Sequence, residues 1–316
     1  MFLSVSLRYL INVESLNGVE SVGNISRHRT APMVVPTGNG SYAIKYVPAV
    51  SGESIAHAYQ CLIVDEAKKA NLPLGKYSSD CIFLKFTDDD VMKEEGISLT
   101  EDAREMEVKV MLKDVVADIG GFLYAGKKVQ VKRPSTFQVS YMVPAYDEGA
   151  ETAALESQFH VRMSPTVTSK QIPFNVEVGS ALYTLTFNLD LDRISVPFSP
   201  GSKVKDEDSL AKQRDKRVEV AKVAMYRLLE NLDFGAKRSR FNPIFQVVDG
   251  VAVASDKPFS VTPGVIKTYI VETVKRVNAL KSTKVLGEAK VATVKAKVEG
   301  ADVYDTVTEM IKSVLG

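Results

Sequence analysis

The sequence predicts an α+β protein with a ferredoxin-like (modified RNA-recognition-motif) core interrupted by a large inserted helical subdomain. Three observations predict it. Apolar residues alternate with period two at Leu3–Val13, Leu155–Val161 and Val176–Leu189, the mark of strands. Helical spacing marks one helix at Ile55, Tyr59, Leu62 and Ile63 and a longer one at Val218, Ala221, Met225, Leu228, Leu229 and Leu232. The resulting order, strand, helix, insertion, strand, strand, helix, strand, is that of the split β-α-β arrangement. RNA-recognition modules share this arrangement and lay RNA across an open four-stranded sheet.

Along the chain, the first strand puts Leu3, Val5, Leu7, Tyr9 and Ile11 on one face and Ser4, Ser6, Arg8 and Asn12 on an opposite, solvated face. Gly18–Asn39 reads as a loop, followed by a short strand at Tyr42, Ile44 and Tyr46 that Pro48 closes. Ser51-Gly52-Glu53-Ser54 starts the first helix, which fades by Asn71-Leu72-Pro73. The insertion carries an acidic run at Asp88-Asp89-Asp90, a helix near Glu101–Asp118, a Gly120-Gly121 break and a hairpin-like pair near Val129 and Phe137–Val143. Asp206-Glu207-Asp208 opens the long helix with an acidic turn that suits the helix dipole, and Gly235 ends it. A strand near Ile244–Val253 and helical stretches near Pro263–Leu280 and Asp302–Leu315 complete the chain. The expected divisions are 1–72, the first part of the core; 73–150, the insertion; 151–260, the rest of the core; and 261–316, a C-terminal helical segment.

Composition narrows the function. With 45% hydrophobic and 25% charged residues, the 316-residue chain is neither disordered nor fibrous. No apolar run is long enough to span a bilayer, and Met1–Leu7 alternates, so neither a membrane segment nor a signal peptide is expected. Two cysteines, Cys61 and Cys81, make no disulfide framework and no CxxC zinc motif, which points to a reducing cytoplasm. A net charge of +1 excludes a global basic field, so any nucleic-acid binding must come from local stripes.

Such stripes exist. They are Arg27-His28-Arg29, the group Lys127, Lys128, Lys132 and Arg133, and Lys237-Arg238-Ser239-Arg240-Phe241. Cations on loops at strand and helix ends suit phosphate contacts that fix register without reading sequence, although each cluster alone also fits an ordinary charged loop. The amides at Ser51 and Gly52 offer a further anion site, with the Glu53 charge competing. His160 alternates with Gln158 and Arg162, which suits either an extended polyanion or a plain solvated strand face. His57, on the second turn of the first helix, reads as a structural histidine.

Motifs for catalysis are missing. Gly121–Lys128 nearly matches a phosphate-binding P-loop, but Lys128 stands where a Ser or Thr hydroxyl is needed for Mg²⁺. The run at Asp88-Asp90 lacks calcium-loop spacing. No G-x-S-x-G, H-E-x-x-H or dinucleotide fingerprint occurs, so no catalytic residue, metal or cofactor is expected.

Six stretches in order carry a family resemblance: Glu14–Pro32 (ESLNGVESVGNISRHRTAP), Tyr46–Tyr59 (YVPAVSGESIAHAY), Met111–Gly126 (MLKDVVADIGGFLYAG), Gln158–Arg162 (QFHVR), Asn175–Tyr183 (NVEVGSALY) and Gly235–Phe241 (GAKRSRF). They resemble the DevR-like backbone subunit of archaeal type I-A CRISPR Cascade complexes, in the RAMP superfamily. The final 60 or so residues carry little of the resemblance.

The resemblance implies a non-enzymatic, cytoplasmic subunit whose copies polymerise along CRISPR guide RNA and present it to invading DNA. Other Cascade subunits would be its partners. It implies a ferredoxin-like palm, an inserted helical domain matching 73–150, and a projecting thumb loop at 163–174. Carried over by motif, the RNA contacts would be Asn24, Arg27, His28, Ser51, Gly52, His160, Arg162, Lys237, Arg238 and Arg240, with His160 and Arg162 on the sheet face. Met163, Ile172 and Phe174 would be the apolar thumb residues that displace a base, or that pack on the neighbouring subunit. Backbone contacts are blind to sequence, so one protein could carry any guide. The competing reading is a CRISPR precursor-RNA endoribonuclease using His160 or His28, and the absence of a Gly-rich C-terminal loop speaks against it. A metabolic enzyme on the same core would instead need a small-molecule pocket.

Overall fold

A computed structural model describes residues 1–12, 16, 20–22, 25–37, 40–146, 153–164, 166, 171–235, 238, 242–243 and 245–316. Its centre is strand β1 (Phe2–Asn12), antiparallel to β11 (Gln171–Asp190) on one side and to β12 (Phe245–Ser255) on the other. Beyond β12 the sheet continues through β13 (Ala289–Val294) to β14 (Asp302–Tyr304). The far edge of β11 pairs with β8 (Phe137–Val139), β9 (Val143–Pro144) and β10 (Ala154–Met163) in turn. On the β1 side, β11 also pairs in parallel with β3 (Ile25–Arg27), which pairs with β2 (Glu20–Val22).

The apolar face of this sheet carries three helices, the third being the C-terminal helix Val307–Leu315. Ser51 caps helix α1 (Gly52–Lys69), its hydroxyl accepting from the Ser54 amide, and the buried stripe Ile55, Tyr59, Leu62 and Ile63 turns to the sheet. The 25-residue helix Glu207–Asn231 packs beside α1. Two tyrosines tie the layers: Tyr9 donates to the Leu229 carbonyl at 2.7 Å, and Tyr59 donates to the Ala221 carbonyl at 2.9 Å. The long helix stops earlier than Gly235, because Leu232 takes the left-handed conformation (φ 46°) that closes its last turn.

The opposite face of β1 differs from expectation. Ser4, Ser6 and Arg8 are buried, not solvated. The segment 256–268 lies across them, and its amides use their side chains: Val261 N donates to Ser4 Oγ and Gly264 N to Ser6 Oγ, each at 3.0 Å. Arg8 is ion-paired with Asp249, which also accepts from the Tyr269 hydroxyl at 2.7 Å. The open sheet face on which RNA-recognition modules place RNA is therefore covered here. Gly264 sits so close that an added Cβ would meet Thr184 Oγ1 at 2.7 Å and Arg8 Cγ at 2.9 Å. Gly264→Val should cost about 1–3 kcal/mol of stability by overpacking, read as a lowered midpoint in urea unfolding.

Other local readings shift as well. Thr30–Pro36 (β4), expected as loop, forms a hairpin with Tyr42–Pro48 (β5). The hairpin in the middle of the chain is Phe122–Ala125 (β6) with Gln130–Arg133 (β7), while Phe137–Val139 joins the main sheet. The segment 261–316 contains β13 and β14 besides its helices Tyr269–Ser282 and Val307–Leu315.

Between α1 and β8 lie helices α2 (Asp89–Glu94), α3 (Ala103–Lys113) and α4 (Val115–Gly120), with a small core of their own around Met92, Met106, Val110, Phe122 and Tyr124. Here the acidic run finds its use: Asp88 Oδ1 accepts from the amides of Asp90 and Val91, capping α2. The P-loop-like stretch is strand β6, and Lys128 pairs with Glu101 at 2.7 Å. Arg133 is buried against Glu107 and Asp118, so this member of the expected basic cluster faces no ligand.

Lys85 is a half-buried cation. Its amine donates to Gln60 of α1 and to the Gly120 carbonyl, and burial brings its pKa down to about 8, partly offset by Asp114. In the unfolded chain the amine titrates near 10.4. Between these values the unfolded chain holds a proton the folded chain has released, so stability rises with pH across that window. Lys85→Met should remove a slope of up to about 1.4 kcal/mol per pH unit, measured by urea unfolding from pH 7.5 to 10.

Candidate nucleic-acid interface

An arm projects from the sheet, formed by β10 and the first half of β11. Every residue of β10 is exposed, including Phe159 (68%) and Val161 (47%), so its apolar side is not half-buried as alternation suggests. Pairing runs without a break from Ala154↔Ser180 to Met163↔Gln171. Ile172 and Phe174, expected in a loop, are thus strand residues.

Register decides which side chains meet. His160 lies opposite Phe174 and Arg162 opposite Ile172, on one face of the arm. The His160 ring stacks on Phe174 with centroids 5.4 Å apart and planes at 20°, and the Arg162 guanidinium lies 5.9 Å from the same ring. His160 and Arg162 are therefore on the projecting arm, not on the palm sheet. Met163 points to the other face, so the three expected wedge residues do not act from one side. Histidine, phenyl ring and guanidinium together make a cationic, flat surface that fits a nucleobase π-face and a phosphate.

At the base of the arm a second group assembles. Arg27 is exposed at the end of β3. His28 is buried, its amide donating to Glu177 of β11 at 2.9 Å and its Nδ1 lying 2.8 Å from the Arg29 carbonyl, so its ring does not face solvent. The Arg29 carbonyl accepts from the Ala49 amide at 2.9 Å, which brings this turn to the start of α1. Gly179 permits the approach, because an added Cβ would meet Pro48 Cβ at 2.9 Å. Ser51 is buried and its hydroxyl is committed to Ser54. Glu53 is held below the usual carboxylate range by its own backbone amide first, with Ser51, Arg29 and Tyr141 adding to this against some desolvation. It is ionised beside the helix start and competes there with any anion.

A cleft of about 570 Å³ runs from Glu53 and His57 of α1 to Asp233 and Gly235, past the end of the long helix. It joins the start of α1 to Gly235. Arg238 donates to the Leu232 carbonyl at 2.9 Å and lies 3.7 Å from Asp233, so it caps the long helix. Asn24, Lys237 and Arg240 lie outside the described residues. Among the described residues no group of three or more His, Cys, Asp or Glu is placed to hold a metal ion. No described helix is long and apolar enough to cross a membrane.

Sequence reasoning missed a second exposed surface. On β5, Tyr42, Ile44 and Tyr46 are 72, 65 and 74% exposed. Their alternation signals a strand, and nothing local shows that no layer covers it.

Residues 5–274 match the family described as CRISPR-associated negative auto-regulator DevR/Csa2. The chain belongs to the DevR/Csa2 family. It is 46% identical over 317 residues, 98% of both chains, to the CRISPR-associated aCascade subunit Cas7/Csa2 2 of Saccharolobus solfataricus. It is 27% identical, over 85% of its length and 86% of the relative's, to the Cas7/Cst2/DevR protein of Methanocaldococcus jannaschii. A chain of a CRISPR RNA-guided surveillance complex shares the fold at TM-score 0.53 and 11% identity, covering 99% of this chain and 98% of that one. A chain of a related complex in a pre-nicking state gives a TM-score of 0.55. The chain is thus a mixed α+β protein with a large central sheet, a fold it shares with chains of such complexes.

Proposed function

We propose that this DevR/Csa2 chain is a non-enzymatic, cytoplasmic backbone subunit that polymerises along CRISPR guide RNA within a type I-A Cascade complex and presents it to invading DNA. The observation that carries the reading is the His160–Phe174–Arg162 stack on the projecting arm, whose β10 strand is exposed throughout, in a chain of this family. The central order β12-β1-β11, continued on the far edge of β11 by β8 and β9, with α1 and the long helix on one face, supports a ferredoxin-like palm. On this reading 73–150 is the insertion, the arm is the thumb, and 261–316 is the C-terminal segment, whose helix Tyr269–Ser282 covers the rear of the palm while Val307–Leu315 packs beside the long helix on the front.

Arg27 and the loop around Lys237, Arg238 and Arg240 hold phosphates, with Asn24 beside them. Ser51 and Gly52 contribute the shape of the helix start more than a free hydroxyl. Phe174 and Ile172 displace or cap a base, while the opposite face, with Met163 and Phe159, packs on the neighbouring copy. The exposed Tyr42, Ile44 and Tyr46 offer that copy a second apolar contact. Cleavage is disfavoured, since His28 is buried and His160 is stacked on a phenyl ring, with no carboxylate or second histidine among its described contacts.

Fluorescence anisotropy with single-stranded RNA over a salt series tests the proposal. Affinity should fall steeply and linearly in log–log form, with a slope near −0.7 per phosphate held. Binding that ignores salt would count against it.

A further inference from the structure

The two cysteines of the chain come from separate elements and meet. Cys61 stands in the middle of α1, facing outward along the helix, and Cys81 follows the 3-10 turn Ser78–Asp80. Cys81 holds a left-handed backbone (φ 59°), an uncommon state for a residue with a side chain, while the amides of Cys81 and Ile82 close the turn onto the carbonyls of Ser78 and Tyr77. Phe83, two residues past Cys81, packs edge-on against the His57 ring with centroids 5.1 Å apart, which lays this stretch along α1 one turn from Cys61, and the Cys81 thiol acts on that of Cys61 as hydrogen-bond partner and charge. Both are half-buried, neither sealed in the core nor free on the surface. His57, one helical turn before Cys61, places Nε2 3.5 Å from its sulfur, and both line the cleft beside the long helix.

We propose that Cys61 and Cys81 form a reversible disulfide in the folded chain, a redox tether between α1 and the first turn of the 73–150 segment. A shared metal ion fits less well: among the described residues no third His, Cys, Asp or Glu completes a ligand group with the two thiols. A disulfide needs only the pair.

The oxidant is a small-molecule disulfide such as oxidised glutathione. The Cys61 thiolate attacks one sulfur of the oxidant, forming a mixed disulfide and releasing one glutathione thiolate. The Cys81 thiolate then attacks Cys61 Sγ and expels the second. Two electrons pass from the cysteine pair to the glutathione disulfide, and the two thiol protons end on the two glutathione molecules. Burial, and then the neighbouring Cys81, push the Cys61 thiol well above its ordinary pKa, so the first step is slow at neutral pH and accelerates as pH rises. This tether does not depend on the RNA-binding reading and can fail or hold without it.

The test treats the full-length chain with oxidised glutathione at pH 8.5, with circular dichroism confirming that it stays folded, followed by acid quench, alkylation and mass spectrometry. The expected product is a monomer that has lost two hydrogens and yields a cross-linked Cys61–Cys81 peptide. Its melting temperature should rise by several degrees, because the cross-link restricts the unfolded chain, and dithiothreitol should reverse the rise. Cys81→Ser should stop at a glutathione adduct on Cys61. Two fully alkylated cysteines in the oxidant-treated, folded wild type would overturn the proposal, as would products linked only between molecules.

Discussion

Asp118→Ala lowers the stability of the chain by about 3–5 kcal/mol, because it strips the shared partner from two buried guanidiniums. Asp118 is fully buried at the end of α4. Its carboxylate accepts from Arg133 at 2.5 Å, from Arg217 at 2.8 Å, and from the amide and hydroxyl of Ser195 at 3.1 and 3.2 Å. Arg217 is itself completely buried on the long helix, and without Asp118 it keeps only Gln213 and the Met111 carbonyl. Arg133 keeps Glu107, the Asp118 carbonyl and the carbonyls of Val196 and Arg193.

One carboxylate thus joins α4, β7, the loop after β11 and the long helix. Asp118→Asn retains one acceptor oxygen and loses the charge, so its cost should fall between wild type and alanine. Urea unfolding followed by far-UV circular dichroism measures both. An alanine variant as stable as wild type would mean that the guanidiniums reach water, against their burial.

Phe174→Ala weakens binding of single-stranded RNA about tenfold or more while leaving the fold intact, since base stacking on an aromatic ring contributes about 1–3 kcal/mol by alanine substitution. His160→Ala, which removes the ring stacked on Phe174, should act through the same surface. The two losses should therefore fall short of additive in the double variant. Both side chains stand on the arm away from the core, so circular dichroism and melting temperature should not move. Phe159→Ala, on the opposite face of β10, should leave affinity for an RNA long enough for one copy unchanged. Anisotropy titrations at fixed salt distinguish these outcomes.

What the sequence disclosed was what local period can carry. The stripe Leu3, Val5, Leu7, Tyr9 and Ile11, the helix opened by Ser51 and the long helix after Asp206 all appear where period and caps place them. Burial by distant segments was not legible. Ser4 and Ser6 alternate as solvated residues do, and they are buried because amides at Val261 and Gly264 use their hydroxyls. Arg133 reads as one of several surface cations, and only folding brings Glu107 and Asp118 to it.

The candidate interface divides in the same way. The motifs marked Gln158–Arg162 and the turn at Arg27, but the pairing of His160 with Phe174 depends on strand register. Short β13, with an alanine and a threonine between its two valines, carries too weak an alternation to stand out between two helices.

The central claim is that copies assemble on one RNA without cutting it. Light scattering coupled to size-exclusion chromatography, with single-stranded RNAs of increasing length, tests this most directly. The account predicts complexes whose protein mass climbs in steps with RNA length, with the RNA recovered intact on a denaturing gel. A constant one-to-one mass at every length, or RNA recovered as discrete fragments that disappear in His160→Ala, would contradict it.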